Sequence, residues 1–184
     1  AIAKKNLTIE AVWFTDNLNP AGNTVGIQSI IGDEWPSGAR VQLFLRTVGP
    51  SGSVQYWTDR GDSNGECVTS TLSLQTNRWY HMAMVFDLDT GTDIATLRLY
   101  IDDVLQGTST YAPGGIYGWG GDLNASLFGG VPLSNPVRSF AIGIHNAQNA
   151  NLTDHRGLSG GIDAVAISDS VLSPGYFVLP KGIV

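Results

Sequence analysis

Apolar and polar residues alternate along two neighbouring runs of the chain, separated by a short turn at Thr90-Gly91. A period of two puts successive side chains on opposite faces of a strand, and a glycine-containing turn between two such runs is typical of a hairpin. The pattern therefore predicts a β-hairpin over residues 77–102. The apolar side chains that we expect to face the core are Met82, Met84, Phe86, Leu97, Leu99 and Ile101.

Further runs of the same kind follow one another, with Gly, Pro, Asn and Asp between them. We predict strands at residues 7–14, 26–31, 40–48, 53–58, 66–74, 104–110, 139–144 and 161–168, and at most one short helical turn at 173–177. Strands that each bury one face favour two sheets stacked on one another. The predicted fold class is all-β, a two-sheet antiparallel sandwich.

Composition agrees with this class and excludes several partners. The 184 residues suit one domain, and 14% charged residues with 23 glycines suit many short strands. A net charge of −6 without a basic cluster argues against nucleic acid and anionic membrane surfaces. No apolar run reaches the length of about 18 residues that membrane insertion needs. Cys67 is the single cysteine, so an intrachain disulfide is impossible.

Three stretches resemble laminin G-like domains, in the order that this family has them. They are LTIEAVW at 7–13, WYHMAMVFD with LRLYID at 79–102, and GGIDAVAI with VLSP at 160–174. The resemblance implies a concanavalin A-like jelly roll that works as an extracellular, cell-surface or periplasmic module. The sequence most resembles modules from surface proteins of polysaccharide-degrading gut Bacteroidetes. This resemblance implies a role in polysaccharide utilisation, with other domains of a larger parent protein as neighbours.

The resemblance also bears on domain organisation. It implies a single laminin G-like domain over residues 1–184. The strand that usually precedes the first motif is not found, so we expect either that an N-terminal partner strand is lacking or that the module is cut from a larger protein. The long stretch at 111–138 is a second departure from the family pattern.

Glycoside hydrolases on this fold carry two glutamates in the pattern E-x-D-x-x-E, because retaining chemistry needs paired carboxyl groups. The chain has three glutamates, Glu10, Glu34 and Glu66, and no two share a predicted strand. Asp87 and Asp89 have strand spacing but adjoin the hairpin turn, where solvated carboxylates are common. We therefore predict that the chain is not an enzyme, and a glycoside hydrolase is the least favoured function.

Metal binding is a separate question. The family often holds calcium at a sheet rim, and the turn at 59–65 offers Asp62 and Asn64 as oxygen ligands. A second oxygen-rich stretch is found at residues 16–19. Both are also ordinary turns, so the cofactor prediction is either none or calcium. His81 lies in an apolar run without a nearby acidic partner, which favours a structural histidine.

Aromatic residues give the strongest functional hypothesis. Sugars stack their C–H faces on aromatic rings and bond their hydroxyls to amide and carboxylate groups. The stretch at 111–138 is longer than connections usually are, which favours a functional loop. The predicted ligand-binding residues are Trp119, Tyr117, Tyr111, Asp122, Asn124, Trp35 and Trp57.

The alternative is that these rings only close the ends of the sandwich, and we expect that packing role for Trp13 and Trp79. The predicted function is a non-catalytic, extracytoplasmic carbohydrate-binding module with a glycan as its partner. The alternative function is a protein-interaction or adhesion module whose partner is a surface protein.

Overall fold

The computed structural model describes residues 6–18, 27–33, 42–48, 52–59, 66–89, 92, 94–111, 140–143 and 157–180. The strands found in these ranges are β1 (Asn6–Thr15), β2 (Ile27–Asp33), β3 (Gln42–Val48), β4 (Ser53–Asp59), β5 (Glu66–Thr69), β6 (Tyr80–Asp89), β7 (Ile94–Ile101), β8 (Val104–Tyr111), β9 (Phe140–Ile142) and β10 (Gly160–Ser168). They form two antiparallel sheets. Sheet A has the order β10-β1-β6-β7-β8, and sheet B has the order β5-β4-β3-β2-β9.

The predicted hairpin is confirmed as β6 and β7, which pair with Met84 opposite Leu99. The chain then reverses into β8 through Asp102 and Asp103, whose φ angles are 49° and 66°. Two consecutive positive φ values make the tight two-residue turn that matches the twist of a hairpin. Asp tolerates this left-handed region better than most residues do.

The core lies between the sheets, and the alternation of each strand explains which residues enter it. Leu7, Ile9, Ala11 and Trp13 alternate along β1 and are 0–4% exposed. The six hairpin residues predicted to face the core are all 0–1% exposed. Both the all-β fold class and this part of the core are confirmed.

One predicted strand is shorter than expected. β5 ends at Thr69, although the apolar pattern continues to Leu74. Beyond it, Ser70 leaves the regular ladder: its amide donates to Val54 O at 2.8 Å, and Val54 N donates to Ser70 Oγ at 2.9 Å. A side-chain bond thus replaces a ladder bond at this point, and the chain turns away from sheet B.

Helical structure in the described residues is limited to a 3-10 turn at Pro174–Tyr176, close to the turn predicted from the sequence. Within those same ranges, no helix has the length and apolar character needed to cross a membrane.

Candidate functional site

Several connections of sheet B begin or end at the same end of the sandwich. Gln42 pairs with Asp59, and the next residue of β3, Leu43, pairs with Asp33. Phe140 also pairs with Asp33, and Glu66 pairs with Thr58. We call this the Asp59 end; its strand termini are Asp33, Gln42, Asp59, Glu66 and Phe140.

Sheet A reaches the same end through β8. Gln106 Oε1 accepts Leu72 N at 3.0 Å, whereas a Cβ placed on the next residue, Gly107, would lie 2.8 Å from Val68. β8 therefore runs antiparallel to the neighbouring segment between Glu66 and Leu72, so the end of β8 lies towards Glu66. Tyr111, the last residue of β8, consequently lies at the Asp59 end.

The predicted binding residues are attached to these termini. Trp35 belongs to the connection from Asp33 to Gln42, and the predicted calcium ligands Asp62 and Asn64 belong to the connection from Asp59 to Glu66. The long connection from Tyr111 to Phe140 carries Tyr117, Trp119, Asp122 and Asn124. These seven residues lie outside the described residues, and for Tyr111 only the backbone is described. The three connections are separate in the sequence, yet the strand ends from which they start and at which they finish all lie at the Asp59 end.

Trp57 belongs to β4, two residues before the Asp59 end, and its backbone pairs with Phe44 and Cys67. In this strand Val54 is fully buried, whereas Gln55 is half-buried and shares the parity of position 57. Gln55 Nε2 donates to the exposed Thr69 Oγ1 at 3.2 Å on the neighbouring strand. An amide and a hydroxyl therefore lie in the cross-strand row next to that of Trp57, on the face of sheet B directed away from the core.

The opposite end of the sandwich, which we call the Thr15 end, is closed by backbone-directed polar bonds. Thr15 Oγ1 donates to Ser159 O at 2.7 Å, and the fully buried Gln28 donates from Nε2 to Asn17 O at 2.7 Å. Asp16 Oδ1 accepts the Ser159 hydroxyl. The described part of the second oxygen-rich stretch thus joins β1, β2 and the start of β10, at the end of the sandwich opposite Asp59.

The outer face of sheet A is covered by residues 169–180, which we call the C-terminal strap. Thr8 Oγ1 donates to Ser170 O at 2.7 Å, and Glu10 accepts the backbone amides of Val178 and Leu179 at 3.1 and 3.0 Å. These contacts bury the outward side chains of β1, so β1 is buried on both faces along most of its length.

His81 forms a buried pair with Glu10 under the strap. Its Nε2 lies 3.0 Å from Glu10 Oε2, and the side chains are 1% and 0% exposed. With Glu10 as a carboxylate, its oxygens can only accept, so the ring Nε2 donates this bond, as the amides of Val178 and Leu179 donate theirs. The expectation that His81 has no acidic partner is wrong, because the partner comes from the neighbouring strand and not from the surrounding sequence.

The second ring nitrogen of His81 is less well satisfied. His81 Nδ1 lies 3.9 Å from Asp103 Oδ1, beyond hydrogen-bonding distance, and it has no hydrogen-bond partner among the described residues. The ring also contacts Phe177 of the strap, with centroids 5.4 Å apart. Closed in this way, the Glu10–His81 pair leaves no room for a substrate and acts as a structural element.

Other candidate groups have local partners. Asp87 Oδ2 accepts Arg98 at 3.0 Å, and Asp89 Oδ2 accepts Thr92 Oγ1 at 2.7 Å, as expected for carboxylates next to a hairpin turn. Trp13 is fully buried, as predicted. Trp79 is half-buried and packs its ring 4.7 Å from that of Phe14. Within the described ranges, no three His, Cys, Asp or Glu side chains are close enough together to hold a metal ion.

Sequence reasoning missed Glu10 as a structural residue. The signal was present, because a glutamate within the apolar run LTIEAVW has to be paired if it is buried. The partner could not be identified, since His81 lies 71 positions away along the chain.

The two-sheet topology and the strand order are those of an antiparallel jelly-roll sandwich. The chain matches, over residues 2–175, the Laminin_G_3 family, described as the concanavalin A-like lectin/glucanases superfamily. It belongs to this family. No curated protein matches the chain.

Solved structures share the fold at low sequence identity. The CBM40 of the Ruminococcus gnavus IT-sialidase, bound to alpha2,3 sialyllactose, is similar with a TM-score of 0.61 and 13% identity, covering 94% of this chain and 80% of that one. A heptameric SAP-like pentraxin from Limulus polyphemus has a TM-score of 0.55 and 11% identity, covering 92% and 66%. The LG1-3 region of the laminin alpha2 chain has a TM-score of 0.50 and 11% identity, covering 92% and 29%.

Proposed function

We propose that the chain is a non-catalytic carbohydrate-binding module that works outside the cytoplasm, with its binding site at the Asp59 end. The observation that carries the proposal is the common location of the anchors of three connections. These connections contain the aromatic and amide residues that suit a sugar, although they lie far apart along the chain.

The face of sheet B adds to this support. Gln55 and Thr69 offer an amide and a hydroxyl next to the row of Trp57, and sugar hydroxyls need such planar and hydroxylic partners. The outer face of sheet A is occupied by the C-terminal strap, whereas Thr69 on sheet B is exposed. A ligand at the Asp59 end could extend from the loop of residues 112–139 onto this face.

The family includes proteins with such a role. Its description names both lectins and glucanases, and fold alone does not define function. The CBM40 module with bound sialyllactose is an example of a sugar-binding protein with this fold. We keep calcium, through Asp62 and Asn64, as part of the proposed site.

A protein-interaction or adhesion module is the second candidate function. It is favoured by the exposed apolar side chains of Tyr176 and Val178, which are 74% and 61% exposed on the strap. A protein partner would use this surface, on the outer side of sheet A, and not the Asp59 end. The two functions can therefore be separated by substitutions on different faces.

The test is a glycan-array screen followed by titration calorimetry on the full chain and on Trp57→Ala and Trp119→Ala. Loss of a stacking ring should weaken binding by about tenfold or more, which corresponds to about 1.4 kcal/mol. The melting temperature should change little, because neither ring is expected to belong to the core between the sheets.

Tyr176→Ala is the matched control, since it removes an exposed ring from the other face and should leave glycan affinity unchanged. If Trp119→Ala lowers the melting temperature strongly and glycan binding persists, the ring is packing and the proposed site is wrong. Absence of binding to every glycan, with and without calcium, would favour the protein-interaction function.

A further inference from the structure

The C-terminal strap is attached to sheet A by two side chains of β1. Thr8 Oγ1 donates to Ser170 O and accepts Leu172 N at 3.0 Å, and Glu10 accepts two consecutive amides, those of Val178 and Leu179. Thr8 and Glu10 are two residues apart and both are fully buried. β1 therefore holds the strap by hydrogen bonds near each of its ends.

Between these points the strap contributes little to any apolar core. None of its residues, 169–180, is buried, and its 3-10 turn has no side-chain cap at Ser173. Phe177 makes its aromatic contact, since this ring lies 5.4 Å from those of His81 and Tyr100. Segments with few buried apolar contacts open at a lower free energy than the core that they cover.

The strap also differs from the core in what it covers. Separating the two sheets would expose Trp13, Met82 and Leu97, whose transfer to water is unfavourable. Lifting the strap would instead hydrate the Glu10 carboxyl group and the His81 ring, which are costly to keep away from water. Hydration of these two groups therefore offsets part of the free energy that is lost with the hydrogen bonds to the strap.

We propose that the C-terminal strap detaches as one unit while both sheets stay folded, and that detachment exposes the Glu10–His81 pair on the outer face of sheet A. The sandwich then has a closed state, in which this face is occupied by the chain's own strap. It also has an open state, in which the face presents a carboxyl group, an imidazole and the Tyr100 ring. Glu10 keeps the strap in the closed state, because it accepts hydrogen bonds from both amides that follow Phe177.

Amide hydrogen exchange on the full chain tests the opening. The amides of Val178 and Leu179 should exchange together, and about 100-fold or more faster than those of β6. Phe177→Ala should raise strap exchange about tenfold further and leave β6 exchange unchanged. Tyr176→Ala is the matched control, since this neighbouring ring is 74% exposed and its removal should change neither rate.

Modification of His81 by diethylpyrocarbonate gives a second measurement, because the closed ring is 1% exposed. Its rate should rise with strap exchange in Phe177→Ala, and in Glu10→Gln if that variant folds. The proposal is overturned if strap amides exchange no faster than β6 amides. It is equally overturned if His81 reacts only when the whole protein unfolds.

Discussion

Glu10 is a fully buried carboxyl group in the middle of β1, within the single LTIEAVW motif of the chain. Two backbone amides and one imidazole nitrogen satisfy its oxygens at 3.0–3.1 Å. A buried carboxyl group is stable only when its lone pairs are used in this way. The residue therefore links sheet A, His81 and the strap.

Replacement of Glu10 by Ala should destabilise the protein by about 3–5 kcal/mol, because it leaves His81 Nε2 and two amides without an acceptor. Glu10→Gln retains one carbonyl acceptor and should cost less, about 1–3 kcal/mol. Urea unfolding measures both. Asp87→Ala, which breaks the half-exposed pair with Arg98, is the control and should cost about 1 kcal/mol or less. Equal losses for Glu10→Ala and Asp87→Ala would contradict the assigned role.

The stability of the fold also depends on a single residue at the start of β10, Gly160. Its φ is 149°, and a Cβ at this position would lie 2.0 Å from the carbonyl oxygen of Phe14. Gly160→Ala should therefore lose about 1–3 kcal/mol from backbone strain alone, and more from the clash. Gly175→Ala is the control, since nothing lies within 4 Å of its Cβ, and should change stability by about 0.5 kcal/mol or less. Thermal unfolding of both variants decides this, and similar melting temperatures would refute the clash.

At the scale of elements, the β7–β8 turn is anchored to the start of β6 by one side chain. Asp102 Oδ1 accepts His81 N at 3.0 Å, and its Oδ2 accepts Arg78 Nη2 at 3.0 Å. Its own amide donates to His81 O at 2.8 Å. The turn thus reverses the chain and also binds the first residues of β6.

Asp102→Ala should cost about 1–3 kcal/mol, because it leaves the His81 amide unsatisfied and puts Ala at a positive φ. Asp102→Asn keeps an acceptor oxygen and a residue type that tolerates this conformation, so it should lose clearly less. Chemical denaturation with both variants measures the difference. If Asn and Ala are equally destabilising, the charge pair with Arg78 and not the bond to His81 is what matters.

The hairpin elements could be predicted from the sequence, because the alternation and the turn lie within about 25 neighbouring residues. The early end of β5 could not. Its apolar pattern runs on to Leu74, and only the bonds between Ser70 and Val54 show that the ladder stops. The Glu10–His81 pair was likewise hidden, because it depends on β1 lying beside β6.

At the scale of the whole molecule, calcium at the Asp59 end remains a prediction with a direct test. If Asp62 and Asn64 bind calcium, a concentration ten times the dissociation constant should stabilise the fold by about 1.4 kcal/mol. Differential scanning fluorimetry with calcium, and with magnesium as the control ion, measures the shift. Asp62→Ala with Asn64→Ala should abolish it; a shift that persists in this double variant would place the ion elsewhere.

The sequence by itself determined the all-β class, the hairpin partners and the hairpin residues that face the core, because a strand's alternation and its turns are local properties. Only the tertiary structure decided that the connections after β2, β4 and β8 have anchors at one end. That outcome depends on strand order and register, which join residues far apart in the chain. The same reason applies to the outer face of sheet A: a strap from the C-terminal region covers a glutamate near the N-terminus, and no local pattern contains both.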